Sequence, residues 1–245
     1  MEIKRFSYGL IGCLLSGLVS GCATTLFPFP TEPLESFNRG VDQFNRDFDK
    51  TLSKPVAKGY RKVTPDPVDR GVSNFFGNIA DINSVVNNVL QLKPKRALSD
   101  VGRVCINTTV GMLGMFDVAS EAGLPSYKED MGQTLGYWGV GETPYLVIPL
   151  LGPSTLRDFT GQLADTLINP VYVSSQTVAW ALSTLRFIDV RADLLETSDI
   201  LEEAAVDPYA FVRETYLQIR RAEISDGELP MDQLLFEDEI RFEDE

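Results

Sequence analysis

The sequence of 245 residues contains no histidine at all. That absence removes Ser-His-Asp and Cys-His nucleophile arrangements, imidazole acid–base chemistry and the usual zinc sites. A carboxylate-only or Ser-Lys enzyme stays open in principle, but no motif supports one. Lipid hydrolysis is therefore a poor fit. Cysteine is nearly as scarce, at three residues, Cys13, Cys22 and Cys105. No glycine-rich dinucleotide fingerprint and no lysine-bearing phosphate loop is present. Long apolar runs are missing too. Tyr145–Leu151 is seven residues interrupted by Pro149, whereas a spanning helix needs about 20. With 22 basic against 35 acidic residues and a net charge of −13, the chain lacks the basic patch of a nucleic-acid binder.

What is present begins at the N-terminus. Lys4-Arg5 precedes the apolar run Leu10–Leu15, and small residues follow at Ser20-Gly21. A basic flank, a short apolar core and small residues make a secretory signal peptide, residues 1–21. Leu18-Val19-Ser20-Gly21-Cys22 looks like a bacterial lipobox, which implies cleavage before Cys22 and a covalent lipid on its thiol and new amine. Each buried methylene contributes about 0.8 kcal/mol, and more than one chain gives stable anchoring. Ala23 rather than Asp follows the lipidated residue, which by resemblance to sorted lipoproteins favours the outer membrane. Cys105 is then the one free thiol of the mature chain, so no internal disulfide is expected. Its setting, Val104-Cys105-Ile106, reads as a buried, inert thiol.

Charge is unevenly spread. Residues 22–222 net −5, while residues 223–245 carry ten acids and one Arg and read as a disordered acidic tail. Residues 50–103 hold ten basic and four acidic residues. Such a segment either faces phosphate headgroups, at about 1 kcal/mol per charge near an anionic surface, or is an ordinary solvated face.

Along the mature chain, residues 22–31 with Phe27-Pro28-Phe29-Pro30 read as an extended tether. A helix is predicted from Glu32-Pro33 to about Ser53, ahead of Pro55. Its Leu34, Phe37, Val41, Phe44 and Phe48 form one apolar stripe, with Asn38, Arg39, Asp42, Asn45, Arg46 and Asp49 opposite. The aromatic stripe is either core or a lipid-facing surface, with Phe37, Phe44 and Phe48 as the membrane-facing candidates. Pro67 suits the first turn of a second helix with apolar positions from Val68 to Val89. Asn74, Asn78, Asn83, Asn87 and Asn88 ride on it, as buried polar contacts, a wet passage or plain surface. A third helix starts at Pro94 and ends before Gly111.

From Gly111 to Pro153 glycine and proline are dense, which disfavours long helix and suits turns and close backbone approach. Tyr145–Leu151 is a short strand or a loop in apolar surroundings. Ser154 is placed as the N-cap of the next helix. Asn169-Pro170 breaks that helix, and two helices or one bent helix follow to Leu201. Asp207-Pro208 starts the last helix, which ends on Arg220-Arg221, cations suited to a helix C-terminus.

These residues together resemble the VacJ/MlaA family of outer-membrane lipoproteins. The resemblance runs over residues 32–222 through Pro33-Leu34-Glu35-Ser36-Phe37-Asn38-Arg39, Lys54-Pro55-Val56-Ala57, Gly71-Val72-Ser73-Asn74-Phe75 and Asn107-Thr108-Thr109-Val110-Gly111. It is most specific in Gly132-Gln133-Thr134-Leu135-Gly136, Gly139-Val140-Gly141, Pro144-Tyr145 and Pro149–Asp158, and closes with Asp207-Pro208-Tyr209 and Val212-Arg213-Glu214. Glu32 stands where the family usually has Asp, a weaker helix cap. The resemblance implies a mainly α fold: a ring-like bundle of amphipathic helices with a Gly/Pro-rich central segment, embedded in one leaflet around an amphipathic channel. It further implies no catalytic residue, no metal and no cofactor. The implied ligand is phospholipid, removed from the outer leaflet and passed to a soluble periplasmic carrier, and the implied neighbour is a trimeric porin.

Dragging a charged headgroup through hydrocarbon is the barrier to moving a phospholipid between leaflets, and a polar inner wall within an apolar rim lowers it without chemistry. Gly136, Gly139, Gly141, Pro144 and Pro149 are the candidates for a channel-side loop or gate, against the alternative of tight packing turns. A non-transporting envelope scaffold with the same anchor is the rival function.

Overall fold

The computed structural model describes residues 33–227. The signal peptide, Cys22, the tether 22–31 and the acidic residues from 228 onward lie outside the described residues. The fold is mainly α. Helix α1, Glu35–Phe48, passes through a π turn at Asp49–Ser53 into α2, Lys54–Val63. The helix thus does not stop before Pro55, as expected from the sequence. Proline lacks an N–H and its ring crowds the carbonyl four residues back. The wider π turn, closed by the Lys54 N–H on the Asp49 carbonyl, re-phases the helix at that point and lets it continue.

Helix α3, Asp66–Leu90, and α4, Pro94–Thr109, form an antiparallel pair, each with Pro in its first turn. The short α5, Val118–Glu121, is capped by Asp117, and α6, Met131–Tyr137, by Asp130. A two-stranded antiparallel hairpin follows, β1 Tyr145–Ile148 and β2 Gly152–Thr155, with Tyr145 opposite Thr155 and Ile148 opposite Gly152. Helix α7, Leu156–Asp165, is capped by Thr155, whose hydroxyl accepts from the Asp158 N–H. Ser154, the expected cap, lies one residue early, in the strand. Then come α8, Pro170–Val173, α9, Gln176–Asp193, α10, Leu195–Ala204, and α11, Pro208–Ile224, with Asp207 capping the last.

Close approach rather than bulk brings α6 against α7. A Cβ on Gly161 would lie 2.4 Å from the Gly132 nitrogen, so only glycine permits that crossing. Among the described residues, buried apolar side chains gather in two small clusters. One is Phe76, Ile79 and Val171; the other is Tyr145, Val147 and Tyr209, with the Tyr145 ring edge-on to both Tyr209 and Tyr216.

The outer edge of β1 is closed by side chains. Asn38 donates to the Tyr145 carbonyl at 2.9 Å and accepts from the Val147 N–H at 2.9 Å. Two turns further along α1, Asn45 repeats the pattern, donating to the Ile148 carbonyl at 3.0 Å and accepting from the Leu150 N–H at 2.8 Å. Each amide behaves as a peptide of a third strand, so the helix substitutes for a sheet neighbour.

Truncating Asn38, which is wholly buried, leaves a buried carbonyl and a buried N–H without partners. Asn38→Ala is expected to cost about 2–4 kcal/mol in stability, from one buried orphan on each side of the bond pair. Urea unfolding of the variant beside Asn45→Ala, whose amide is only half-buried, checks this: the Asn38 loss should be the larger.

Candidate functional site

The distribution of polarity is the reverse of a water-soluble core. Among the described residues ten apolar side chains are buried against twenty-one polar or charged ones, while thirty-six large apolar residues are exposed. Buried charged residues are ordinarily rare and large exposed apolar surfaces mark contact with something apolar. Helix α1 shows how the sequence achieves this. Asn38 and Asn45 face the hairpin, while Phe37 and Phe44 point outward at 55% and 52% exposure. Phe48 is half-buried and stacks on Phe44. Helix α4 is turned the same way. Its inward positions are Ala97, Asp100, Arg103 and Asn107, and Leu98, Val101 and Cys105 lie outside. The expectation of a buried Cys105 is therefore wrong: the apolar stripe it belongs to is the outer face.

The interior is held by charge-assisted networks. Arg220 of α11 grips Asp130 with two bonds, 2.8 and 3.0 Å, and reaches Asp158 at 3.0 and 3.3 Å. Tyr216 donates to the same Asp158 at 2.9 Å. Burial pushes the Asp158 carboxyl up, but the Arg220 and Arg157 guanidiniums outweigh it and hold it down at about 2. Asp130 is lowered by Arg220 against the same burial effect. Arg220, expected only to complement a helix terminus, thus ties α11 to the caps and turns of α6 and α7.

A second network runs through Asn87, which donates to Asp165 at 3.1 Å and accepts from Thr134 at 2.8 Å. Gln91 donates to Glu129 and Thr134, and Lys93 and Arg96 bridge Glu129 to Asp226 just after α11. Lys93 and Arg96 of the basic segment are therefore engaged by carboxylates, while Lys50, Lys58, Arg61, Lys62, Arg70 and Lys95 stay exposed. A third network has Arg103 on Asp81 at 2.9 Å and on Asp117 at 3.2 Å, with Asn88 donating to Asp100 at 2.8 Å. Burial raises the Asp100 carboxyl to about 6, against the bond it receives from the Tyr127 N–H.

The gate candidates separate. Gly136 lies within α6, where a Cβ would meet Ile224 at 2.9 Å, so it is a helix-packing position. Gly139 has φ +92° and closes the end of α6, its N–H on the Gly136 carbonyl at 2.9 Å. Gly141 is exposed with open space about it. The carbonyls of Val140 and Gly141 receive the Arg157 guanidinium at 3.3 and 3.4 Å, and Arg157 also holds Asp158 at 3.1 Å. The Pro144 carbonyl accepts from the Leu156 N–H at 3.1 Å. The segment from Gly136 to Pro144 is thus moored to the Arg220 hub by Arg157. Pro149 stands apart, exposed at the hairpin turn beside Asn45.

A cavity of about 210 Å³ opens between α3, α7, α8 and α9. Phe76, Val171 and Leu182 form its apolar side, and Asn83, Gln162 and Arg186 its polar side. Arg103 and Arg186 escaped the sequence reading, and Arg157 and Arg220 entered it only as part of a motif and as a helix-terminal cation. For Arg103 and Arg220 the available signal was a place in a series at helical spacing, Asp100-Arg103-Asn107 and Tyr209-Tyr216-Arg220, with charge standing where a core residue is expected.

Comparison with known proteins agrees with this architecture. The family model described as MlaA lipoprotein matches residues 30–223. The intermembrane phospholipid transport system lipoprotein MlaA of Shigella flexneri is 36% identical over 228 residues, covering 90% of this chain and 86% of that protein. The protein of the same name from Haemophilus influenzae is 32% identical over 233 residues, covering 90% and 92%. A solved structure reported as the structural basis for maintenance of bacterial outer membrane lipid asymmetry superposes with a TM-score of 0.72 at 35% identity, covering 79% of this chain and 99% of that one.

Two predictions follow from the networks. Removing one partner of a buried ion pair strands the others, so Arg220→Ala is expected to cost about 3–5 kcal/mol, and thermal unfolding at pH 7 should show it. The acid dependence has opposite signs at two places. Asp158, held below the ordinary range, contributes stability above its unfolded value that is lost as pH falls toward about 2, and Asp130, also lowered, acts in the same direction. Asp100, held at about 6, binds its proton more tightly when folded, so its contribution falls as pH rises toward 6. Asp100→Asn should remove that fall, making the variant gain on the parent as pH rises from 3.8 to about 6 in the same unfolding assay.

Proposed function

Since the chain belongs to the MlaA lipoprotein family, we propose that its inverted polarity serves lipid retrieval at the outer membrane. It acts in intermembrane phospholipid transport and maintains outer-membrane lipid asymmetry. The observation that carries the mechanism is the pairing of an apolar exterior with a polar, hydrogen-bonded interior. Among the described residues no helix is long and apolar enough to cross a membrane. Amphipathic helices whose outer faces carry Phe37, Phe44, Leu98 and Val101 suit one leaflet, with acyl chains outside and backbone and charge satisfied within. Lipid covalently bound at Cys22 holds the chain on the periplasmic side of the outer membrane.

A phospholipid entering such a body keeps its headgroup against polar walls and its acyl chains against apolar ones, so the cost of taking charge through hydrocarbon is avoided. No bond is made or broken, and the protein works without catalysis. The loop Gly139–Pro144, moored by Arg157, is the gate, and its opening requires the Arg157 bonds to Val140 and Gly141 to let go. A soluble periplasmic carrier receives the lipid, and a trimeric porin supports the protein within the leaflet.

The direct test measures outer-leaflet phospholipid in cells lacking the chain and in cells supplied with wild type or Cys22→Ser. Loss should raise surface phospholipid, and wild type but not Cys22→Ser should restore it. Unchanged surface phospholipid with retained porin association would favour a scaffold instead. For the gate, Gly139→Val forces a β-branched residue into left-handed backbone and Gly141→Val stiffens the loop. Both are expected to impair lipid removal while lipidation and abundance stay normal, and normal removal in both would sink the gate.

A further inference from the structure

The cavity between α3, α7, α8 and α9 has a chemistry more specific than an amphipathic lining. Arg186 of α9 sits at its wall with its guanidinium 5.7 Å from the centre of the Phe76 ring. No carboxylate pairs with Arg186 among the described residues, although Arg103, Arg157, Arg191 and Arg220 are all paired. Across the cavity, the side-chain oxygen of Asn83 is buried and has no donor. The only carboxylate of the lining, Asp165, is occupied by donors on both oxygens, Asn87 at 3.1 Å and the Met131 N–H at 2.9 Å. One cavity therefore offers an uncommitted cation, an uncommitted buried acceptor and an apolar side.

We infer that this cavity is a headgroup station on the transport route, at which Arg186 binds the phosphodiester of a glycerophospholipid while Asn83 accepts a hydrogen bond from the polar group beyond the phosphate. The inference rests on the reading of the chain as a phospholipid transporter and adds the place and the contacts. At about 210 Å³ the space holds a phosphate with its polar substituent but not two acyl chains, which must leave past Phe76 and Leu182 toward the apolar exterior. Guanidinium suits a phosphate because its planar donors match the oxygens, and the adjacent ring favours the cation without competing for its hydrogen bonds. Free inorganic phosphate shares the Arg186 chemistry but brings nothing apolar for the Phe76 side.

The test places a photoreactive benzophenone amino acid at Tyr172, an exposed aromatic of the cavity lining, in the full-length lipidated protein expressed in its own envelope. After irradiation the adduct is identified by mass spectrometry. A diacyl phospholipid adduct is expected. It should fall about tenfold in Arg186→Ala, the loss from one charge-assisted contact. The Arg186→Lys form should recover part of it, and Asn83→Leu should reduce it with the volume kept. Inorganic phosphate in millimolar excess is expected to leave the adduct unchanged. An adduct equal in wild type and Arg186→Ala overturns the inference, as does one abolished by phosphate alone, which would mark a free-anion site. Absence of any lipid adduct also overturns it. If surface phospholipid still depends on the protein in that case, the station falls and the transport function stands.

Discussion

A carboxylate withdrawn from water without a partner costs several kcal/mol, and this chain withdraws Asp81, Asp100, Asp158, Asp165 and Asp189 together. Everything else in the fold answers to that constraint. The two apolar clusters are too small to position eleven helices and a hairpin among the described residues, so position is set by directional bonds. Arg220 binds the cap of one helix and the first turn of another; Asn87 joins three segments; Tyr60 and Ser73 share Asp189 between them. Such an interior is held by angle and distance more than by volume. It suits a body that must remain in shape in contact with apolar molecules, because they do not compete for its bonds.

Much of this order is legible in the sequence. The proline starts at Pro67, Pro94 and Pro208, the Asp207 cap and the glycine-rich middle fall where the structure has them. Periodicity finds the stripes but does not say which side of a stripe faces in. A rule that places apolar residues inside assumes water outside, and it put Cys105 in the core. The asparagines of α3 were the better guide: Asn78, Asn87 and Asn88 are buried, on a helix that carries more amides than a solvated surface requires. Contacts far apart in sequence left no local trace. Nothing near Asn38 announces the strand at Tyr145, and nothing near Arg220 announces Asp130, since each pairing depends on how distant helices cross.

The same inversion changes the meaning of exposure. The loop Val110–Phe116 displays Met112 and Leu113 in left-handed backbone, with Met115 and Phe116 also exposed. In water that would be a strained and sticky turn. Beside hydrocarbon, the strain holds apolar side chains outward while the loop's own N–H groups bond back to Asn107, Thr108 and Gly111 carbonyls. The backbone thus meets the donors of Leu113, Gly114 and Phe116 within the loop and helix end, as an apolar medium with no acceptor to give would require.

The π turn at Asp49–Ser53 also acts as a phase corrector between two jobs. Before it, α1 aims asparagines at the hairpin; after it, α2 aims Ala57 and Tyr60 at α9. A uniform α-helix advances about 100° per residue, and the wider i→i+5 turn absorbs one extra residue, so the same residues wound as plain α-helix would swing the second half by about that angle. The π turn is therefore what keeps the buried Ala57 and the half-buried Tyr60 turned toward α9. In evolutionary terms the segment has the form of an insertion that the helix has absorbed, one residue gained with the faces on either side kept in place.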